Sequence, residues 1–352
     1  MLKYASNLIK LARNDRHLNP QVAIYYVTTQ CNLNCAYCED FGARRNDHAE
    51  PPRRLDQAMQ ILRVIRSGAD SLFITGGEPL LHPDIDELLR RAEHELKFRE
   101  ITLITNGFLL SKHEAALSAV DRLIVSLDSL NAENWSQTIG IPLASTESIY
   151  NNICNYAMRQ KEFGYQMMVN AVLSPETLSG AEALLEFCVE NHLLISFSPQ
   201  AVNNWVRYEL IISSEYKVLI EKLIAYKKRG APIAGSMAYL QTLIDFRPYD
   251  CYPTLAPRIM PNGDLTYPCR PFEKANNGQG GRPVNLLDVK TWDEAWSKAC
   301  ATYGQPPRTC HSCFQQCYIE PSLMQSQPLT FLNEYLRYPS SRKGNLKTYA
   351  AG

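Results

Sequence analysis

Long apolar runs are missing from this chain of 352 residues. None approaches the roughly 18 residues that a helix needs to cross a bilayer. The opening stretch from Met1 to Leu8 also lacks the continuous apolar core of a signal peptide. Surplus charge is missing too: Lys plus Arg equals Asp plus Glu at 36 each. Without a basic field to hold phosphates, nucleic acid is not expected as the main partner. The histidines lack ligand spacing, and His48, His82, His94, His113 and His192 read as solvent-facing or capping residues. No internal repeat or low-complexity tract is visible. Cysteine, in contrast, is plentiful. The 11 cysteines are odd in number and clustered, which points to metal ligation rather than a disulfide framework, and to a reducing, cytoplasmic location. Cys154, Cys188 and Cys300 stand apart in helical contexts and read as small buried apolar residues.

Residues 21–230 alternate short apolar runs with amphipathic stretches. The runs are Val22–Thr28, Ser71–Thr75, Ile101–Thr105, Leu123–Leu127, Gln166–Leu173 and Leu193–Phe197. They are nearly continuous and rich in β-branched or bulky residues, as expected of strands buried on both faces. Between them, Leu55, Met59, Leu62 and Ile65 share one helical face, as do Ile85, Leu88, Leu89 and Ala92, with Pro83 expected in a first helical turn. Six β-α units in a row predict an α/β fold with a parallel sheet and right-handed crossovers. That sheet is either doubly wound or an open partial barrel. Both architectures place chemistry at the carboxyl ends of the strands. The polar candidates lie there: Cys31–Cys38 after the first strand, Gly76–Pro79 after the second, Asn106 after the third, Ser126 and Asp128 at the fourth, and Asn170 in the fifth.

The spacing Cys31-x3-Cys35-x2-Cys38, with Tyr37 before the last thiol, puts three thiolates on one loop. Three thiolates can hold three irons of a cubane [4Fe–4S] cluster and leave the fourth iron open to a small molecule. Structural zinc, the competing reading, usually takes four ligands in paired knuckles. Gly76 and Gly77 allow close backbone approach to a ligand, or alternatively form only a tight strand-to-helix turn. Together, Cys31, Cys35, Tyr37, Cys38 and the run Gly76-Gly77-Glu78-Pro79 resemble the signature of the radical S-adenosylmethionine (radical SAM) superfamily.

The resemblance covers roughly residues 20–320 and implies a partial (β/α)6 TIM barrel. It implies that Gly76, Gly77 and Glu78 form the SAM-binding stretch, with Glu78 shaping it. Asn106, Ser126, Asp128 and Asn170 are candidates for the SAM ribose or carboxylate, since hydroxyl, amide and carboxylate groups suit those partners. Helix capping or satisfying a loop amide is the alternative for each. Further on, Cys251, Cys269, Cys310, Cys313 and Cys317 accompany a hairpin predicted around Asn262-Gly263. This second group resembles the auxiliary-cluster domain called twitch, a shorter relative of SPASM. Five cysteines suffice for one auxiliary [4Fe–4S] cluster. Cys251, Cys269 and Cys310 are the firmer ligands, while Cys313 and Cys317 compete for the fourth position. A four-cysteine zinc site is the alternative.

The expected organisation is an N-terminal amphipathic helix over 1–20, the barrel over 21–230 and a connector over 231–250. The auxiliary domain then covers 251–320 and a tail 321–352. The resemblance implies an enzyme, with a low-potential electron donor such as flavodoxin or ferredoxin as partner. The expected activity is reductive cleavage of SAM and hydrogen abstraction from a C–H bond. The auxiliary cluster would accept the substrate electron, making the enzyme an oxidoreductase. A small or amphiphilic metabolite (a tetrapyrrole, isoprenoid or sugar) is the expected substrate. The alternatives are a maturase of a ribosomally made peptide and, outside enzymes, an iron–sulfur carrier or scaffold. Trp205 is expected to help line an apolar pocket. The helix carrying Leu2, Ala5, Ile9 and Ala12 is expected to cover the barrel bottom, with a membrane surface as the alternative.

Overall fold

The computed structural model describes residues 2–49, 51–202, 205–269, 284–306 and 313–337. Six parallel strands form in chain order: β1 (Ala23–Tyr26), β2 (Ser71–Thr75), β3 (Glu100–Thr105), β4 (Arg122–Ser126), β5 (Gln166–Leu173) and β6 (Leu194–Pro199). Each pairs with its successor. Every strand expected from the apolar runs is present, in a partial barrel.

Strand alternation sorts the side chains. Tyr25, Leu72, Ile74, Leu103, Leu123, Val125 and Val169 face outward into the main core, where Met59, Leu62, Ile65, Leu88 and Leu89 from the flanking helices meet them. The opposite face lines the barrel lumen. There Ile124, Met168 and Leu194 form a small separate apolar cluster with Ile104 and Ala234. Ser126, Asn170 and Ser196 stand in register one layer higher, toward the carboxyl ends.

After a two-stranded ribbon, β7 (Ala201–Val202) and β8 (Trp205–Val206), the chain returns to the main sheet. Strand β9 (Arg258–Ile259) lies parallel to β1; β10 (Asp264–Thr266) pairs antiparallel with β9, and β11 (Val284–Asn285) antiparallel with β10. Gly263, at φ +95°, makes the expected turn between β9 and β10. The cysteine-rich segment therefore extends the sheet of the barrel, giving the order β11-β10-β9-β1-β2-β3-β4-β5-β6.

Several local expectations need correction. Residues 231–250 hold the helix Met237–Asp245, capped by Ser236, which accepts a hydrogen bond from the Tyr239 amide. The helix Gln316–Ser326 runs across the expected boundary at 320, and Pro328–Arg337 forms another helix beyond it. Pro83 lies ahead of the helix Ile85–His94, in the turn closed by the Ile85 amide on the His82 carbonyl. Trp205, expected to line a pocket, is 63% exposed. The N-terminal helix Leu2–Ala12 does reach the barrel bottom: Lys3 bonds the Gly68 carbonyl and Asp70, just before β2 begins. Among the described residues no helix is long and apolar enough to cross a membrane.

Candidate functional site

The loops at the carboxyl ends of β1 to β5 are knitted together by bonds between chemically distinctive residues. The Gly77 amide donates to the Thr28 carbonyl at 2.9 Å and the Glu78 amide to the Gln30 carbonyl at 2.7 Å. A Cβ on Gly76 would meet the Thr28 carbonyl oxygen at 2.5 Å, and one on Gly77 the Gln30 carbonyl oxygen at 2.2 Å. Two backbones lie flat against each other here, which only glycine permits. The glycine run is thus a strut for the cysteine loop.

Cys31, Cys35 and Cys38 lie on that loop, Cys31 buried and the others half-buried. The Asn46 side chain fixes Cys31 from both sides, accepting from its amide at 3.1 Å and donating to its carbonyl at 2.8 Å. The amides of Asn34 and Ala36 donate to the carbonyls of Ile139 and Thr138, at the end of the helix Ala132–Ile139. Backbone N–H groups also aim at sulfur: Leu33 at Cys31 Sγ, 3.5 Å, and Phe41 at Cys38 Sγ, 3.4 Å. Burial pushes the Cys31 thiol up to about 11 and the Cys35 thiol to about 12. Thiols buried together and supplied with N–H donors gain most when cations compensate their thiolates. Among the described residues no three His, Cys, Asp or Glu side chains converge as a single-ion site requires. A cubane asks for something else, because each thiolate occupies its own corner. The donor set therefore fits a cluster bound at three corners.

Glu78 is fully committed to protein partners. Oε1 accepts from the Leu80 amide at 3.0 Å and from Thr105 Oγ1 at 2.7 Å, while Oε2 accepts from the Asn106 amide at 2.8 Å. Asp128 behaves alike, accepting from the Val172 amide and from Tyr37 Oη, each at 2.8 Å. Tyr37 thereby ties the cysteine loop to β4 and β5. These two carboxylates hold loops together, whereas Ser126 and Asn170 stand on the lumen face, and Asn106 is held in the loops, accepting from the Phe108 amide at 3.0 Å. Asn106 donates to Asn32 Oδ1 at 2.8 Å, and Asn170 accepts from Ser198 at 3.3 Å. Reasoning from sequence missed Asn46, Asn32 and Ser198; none carries a spacing signal, since each acts through a distant partner.

Burial raises Glu78 to about 7 and Asp128 to about 6. Burial likewise raises Glu320, which accepts from the Ser236 amide, to about 7. A raised acid binds its proton more tightly folded than unfolded, so the native state holds the extra protons between the two values. Stability is therefore expected to fall as pH rises from about 4 to about 7, and to level off above that. Urea denaturation across this range checks it; a rise in stability over the interval contradicts the assignment.

In the second cysteine group, Cys251 and Cys313 are buried and Cys269 and Cys317 half-buried; Cys310 lies outside the described residues. Burial pushes the Cys313 thiol up to about 12, with Cys317 and Cys269 among its charged neighbours. Tyr249 Oη bonds the Cys313 carbonyl at 2.6 Å. Two glutamines between Cys313 and Cys317 reach into the lumen: Gln316 accepts from Ser196 on β6 and Gln315 from Arg258 on β9. They bridge the side of the barrel that the sheet leaves open. Cys188 is buried as expected; Cys154 and Cys300 are half-buried, and Cys300 lies 3.3 Å from Tyr267 Oη.

Loops on the carboxyl rim of parallel strands, one of them carrying three cysteines, stand where α/β barrels place their chemistry. The sequence model of the Radical SAM superfamily matches residues 25–188, so the chain carries a Radical SAM domain over that span. A Radical SAM domain implies a [4Fe–4S] cluster and SAM as cofactors. A probable GTP 3',8-cyclase of Methanococcus maripaludis is 32% identical over 170 residues, 46% of this chain and 53% of the relative. A GTP 3',8-cyclase of Mycobacterium marinum is 29% identical over 232 residues, 63% of this chain and 62% of the relative. The chain thus spans about half to three fifths of the length of these curated relatives. The crystal structure of Streptococcus suis SuiB shares the fold, with TM-score 0.59 and 21% identity, covering 82% of this chain and 69% of SuiB.

Proposed function

We propose that this radical SAM enzyme oxidises a small or amphiphilic molecule held in the barrel lumen. The observation that carries the reading is the closeness of the second cysteine group to that lumen, through Gln315 and Gln316. The cofactors, when bound at the rim, would supply hydrogen abstraction from a C–H bond. Cys31, Cys35 and Cys38 would hold the cluster, with the backbone of Gly76–Glu78 beside the SAM methionine. Asn106, Ser126 and Asn170 would orient the nucleoside. Four of Cys251, Cys269, Cys310, Cys313 and Cys317, with Cys313 and Cys317 competing for the fourth place, would hold an auxiliary [4Fe–4S] cluster, whose chemistry when bound is electron acceptance. The lumen suits an amphiphile, since Ser126, Asn170 and Ser196 stand above the apolar floor of Ile124, Met168 and Leu194.

Two other substrate classes have support. The curated relatives are named for action on GTP, and SuiB has been crystallised with its precursor peptide. Anaerobic incubation with reductant, SAM and deuterated GTP, peptide or metabolite pools separates the three, because the true substrate delivers deuterium to 5′-deoxyadenosine. The Cys269→Ala protein is expected to retain SAM cleavage, lose about half its iron and release no oxidised product. Loss of cleavage to the extent seen in Cys35→Ala would contradict this division of labour.

A further inference from the structure

Arg258 is the most unusual charge in the described molecule. It sits on β9, 8% exposed, in register with Ile24. Its neighbour Ile259 faces the main core. Alternation therefore turns Arg258 toward the lumen. A guanidinium keeps its charge at any physiological pH, and burying one without a counter-charge is costly. Yet among the described residues no carboxylate pairs with it. Nη2 donates to Cys317 Sγ at 3.1 Å and to Gln315 Oε1 at 2.5 Å. The guanidinium carbon lies 5.0 Å from the centre of the Tyr318 ring, while Nε has no hydrogen-bond partner. Cys317 also occupies the first turn of the helix Gln316–Ser326, where the helix dipole favours negative charge.

We propose that Arg258 is a positioning residue for an auxiliary iron–sulfur cluster: it holds Cys317 as a cluster thiolate and raises the cluster's reduction potential. The inference rests on the auxiliary cluster of the proposed function. Hydrogen bonds to the sulfurs and nearby positive charge both set such potentials, and both favour the reduced, more negative state. Placed between the lumen and the thiols, Arg258 makes the cluster a better acceptor for an electron leaving a substrate. It also resolves the competition between Cys313 and Cys317 in favour of including Cys317.

The test is redox potentiometry followed by electron paramagnetic resonance on the anaerobic holoenzyme. Added SAM perturbs the signal of the cluster with the open iron, so the signal that SAM leaves unchanged reports the auxiliary cluster. Arg258→Met and Arg258→Gln are measured in parallel, with Arg258→Lys as the conservative variant. The expected result is a more negative auxiliary midpoint in the neutral variants, with Lys between them and the wild type. Loss of the auxiliary iron in the neutral variants, restored by Lys, also supports the proposal. An unmoved midpoint at full iron in any neutral variant overturns it. So does an unmoved midpoint in Arg258→Lys if both neutral variants fail to fold. A wild-type protein with about four irons instead of eight instead removes the auxiliary cluster itself, and with it the reading on which this inference depends.

Discussion

Cys35→Ala protein, isolated without oxygen, is expected to carry about half the iron of the wild type and to form no 5′-deoxyadenosine on reduction with SAM. Cys35 is one of three thiols on the rim loop, and the loop around it is over-determined. Asn46 clamps Cys31, the helix Ala132–Ile139 holds Asn34 and Ala36, and the glycine run supports Thr28 and Gln30. Removing the thiol leaves that scaffold standing but would take away one corner of the proposed cluster, which would already have its minimum of protein ligands. The effect is therefore all-or-none for the chemistry and small for the fold. Cys188→Ala is the matched control. Cys188 is more deeply buried than Cys35 and lies on the helix Ala181–Glu190, away from the rim. Its loss should cost about 1 kcal/mol of packing and no iron. Iron and nucleoside assays on the two variants decide the matter; a Cys35→Ala protein that still cleaves SAM refutes the assignment of the loop.

The second large effect concerns Glu78. Truncation to Ala strands three donors at once: the Leu80 amide, the Thr105 hydroxyl and the Asn106 amide. A buried donor left unpaired costs about 1–3 kcal/mol, so Glu78→Ala should lose on the order of 4 kcal/mol. That is a large share of the roughly 5–15 kcal/mol that holds an ordinary domain folded. Glu78→Gln keeps one acceptor oxygen and should lose about half as much. Urea denaturation of the metal-free proteins measures both. A Glu78→Ala loss under about 1 kcal/mol would show that the carboxylate is not the joint between β2 and β3. The distinction matters for the proposed function, because a carboxylate with both oxygens occupied would act on a bound SAM through the backbone it holds and not through its charge.

Some misreadings share a cause. Trp205 was expected to line a pocket from its place after the sixth strand, yet on its two-stranded ribbon it is largely exposed. The hairpin around Asn262-Gly263 was legible, but its place in the barrel's own sheet was not. Local pattern specifies that a strand forms; which edge it joins depends on what else the sheet leaves unpaired.

The amino-acid order alone determined the thiolate trio Cys31, Cys35 and Cys38, the glycine turn at Gly76–Gly77 and the succession of six parallel strands. Those features are written in short spacings and in the apolar alternation of contiguous residues, where backbone geometry leaves little choice. Tertiary structure alone decided that Glu78 joins Thr105, that Tyr37 joins Asp128 and that Arg258 meets Cys317, across 27, 91 and 59 residues of chain. No local preference encodes such pairs. They exist because burial leaves polar groups only each other as partners, and only the folded barrel brings them within reach.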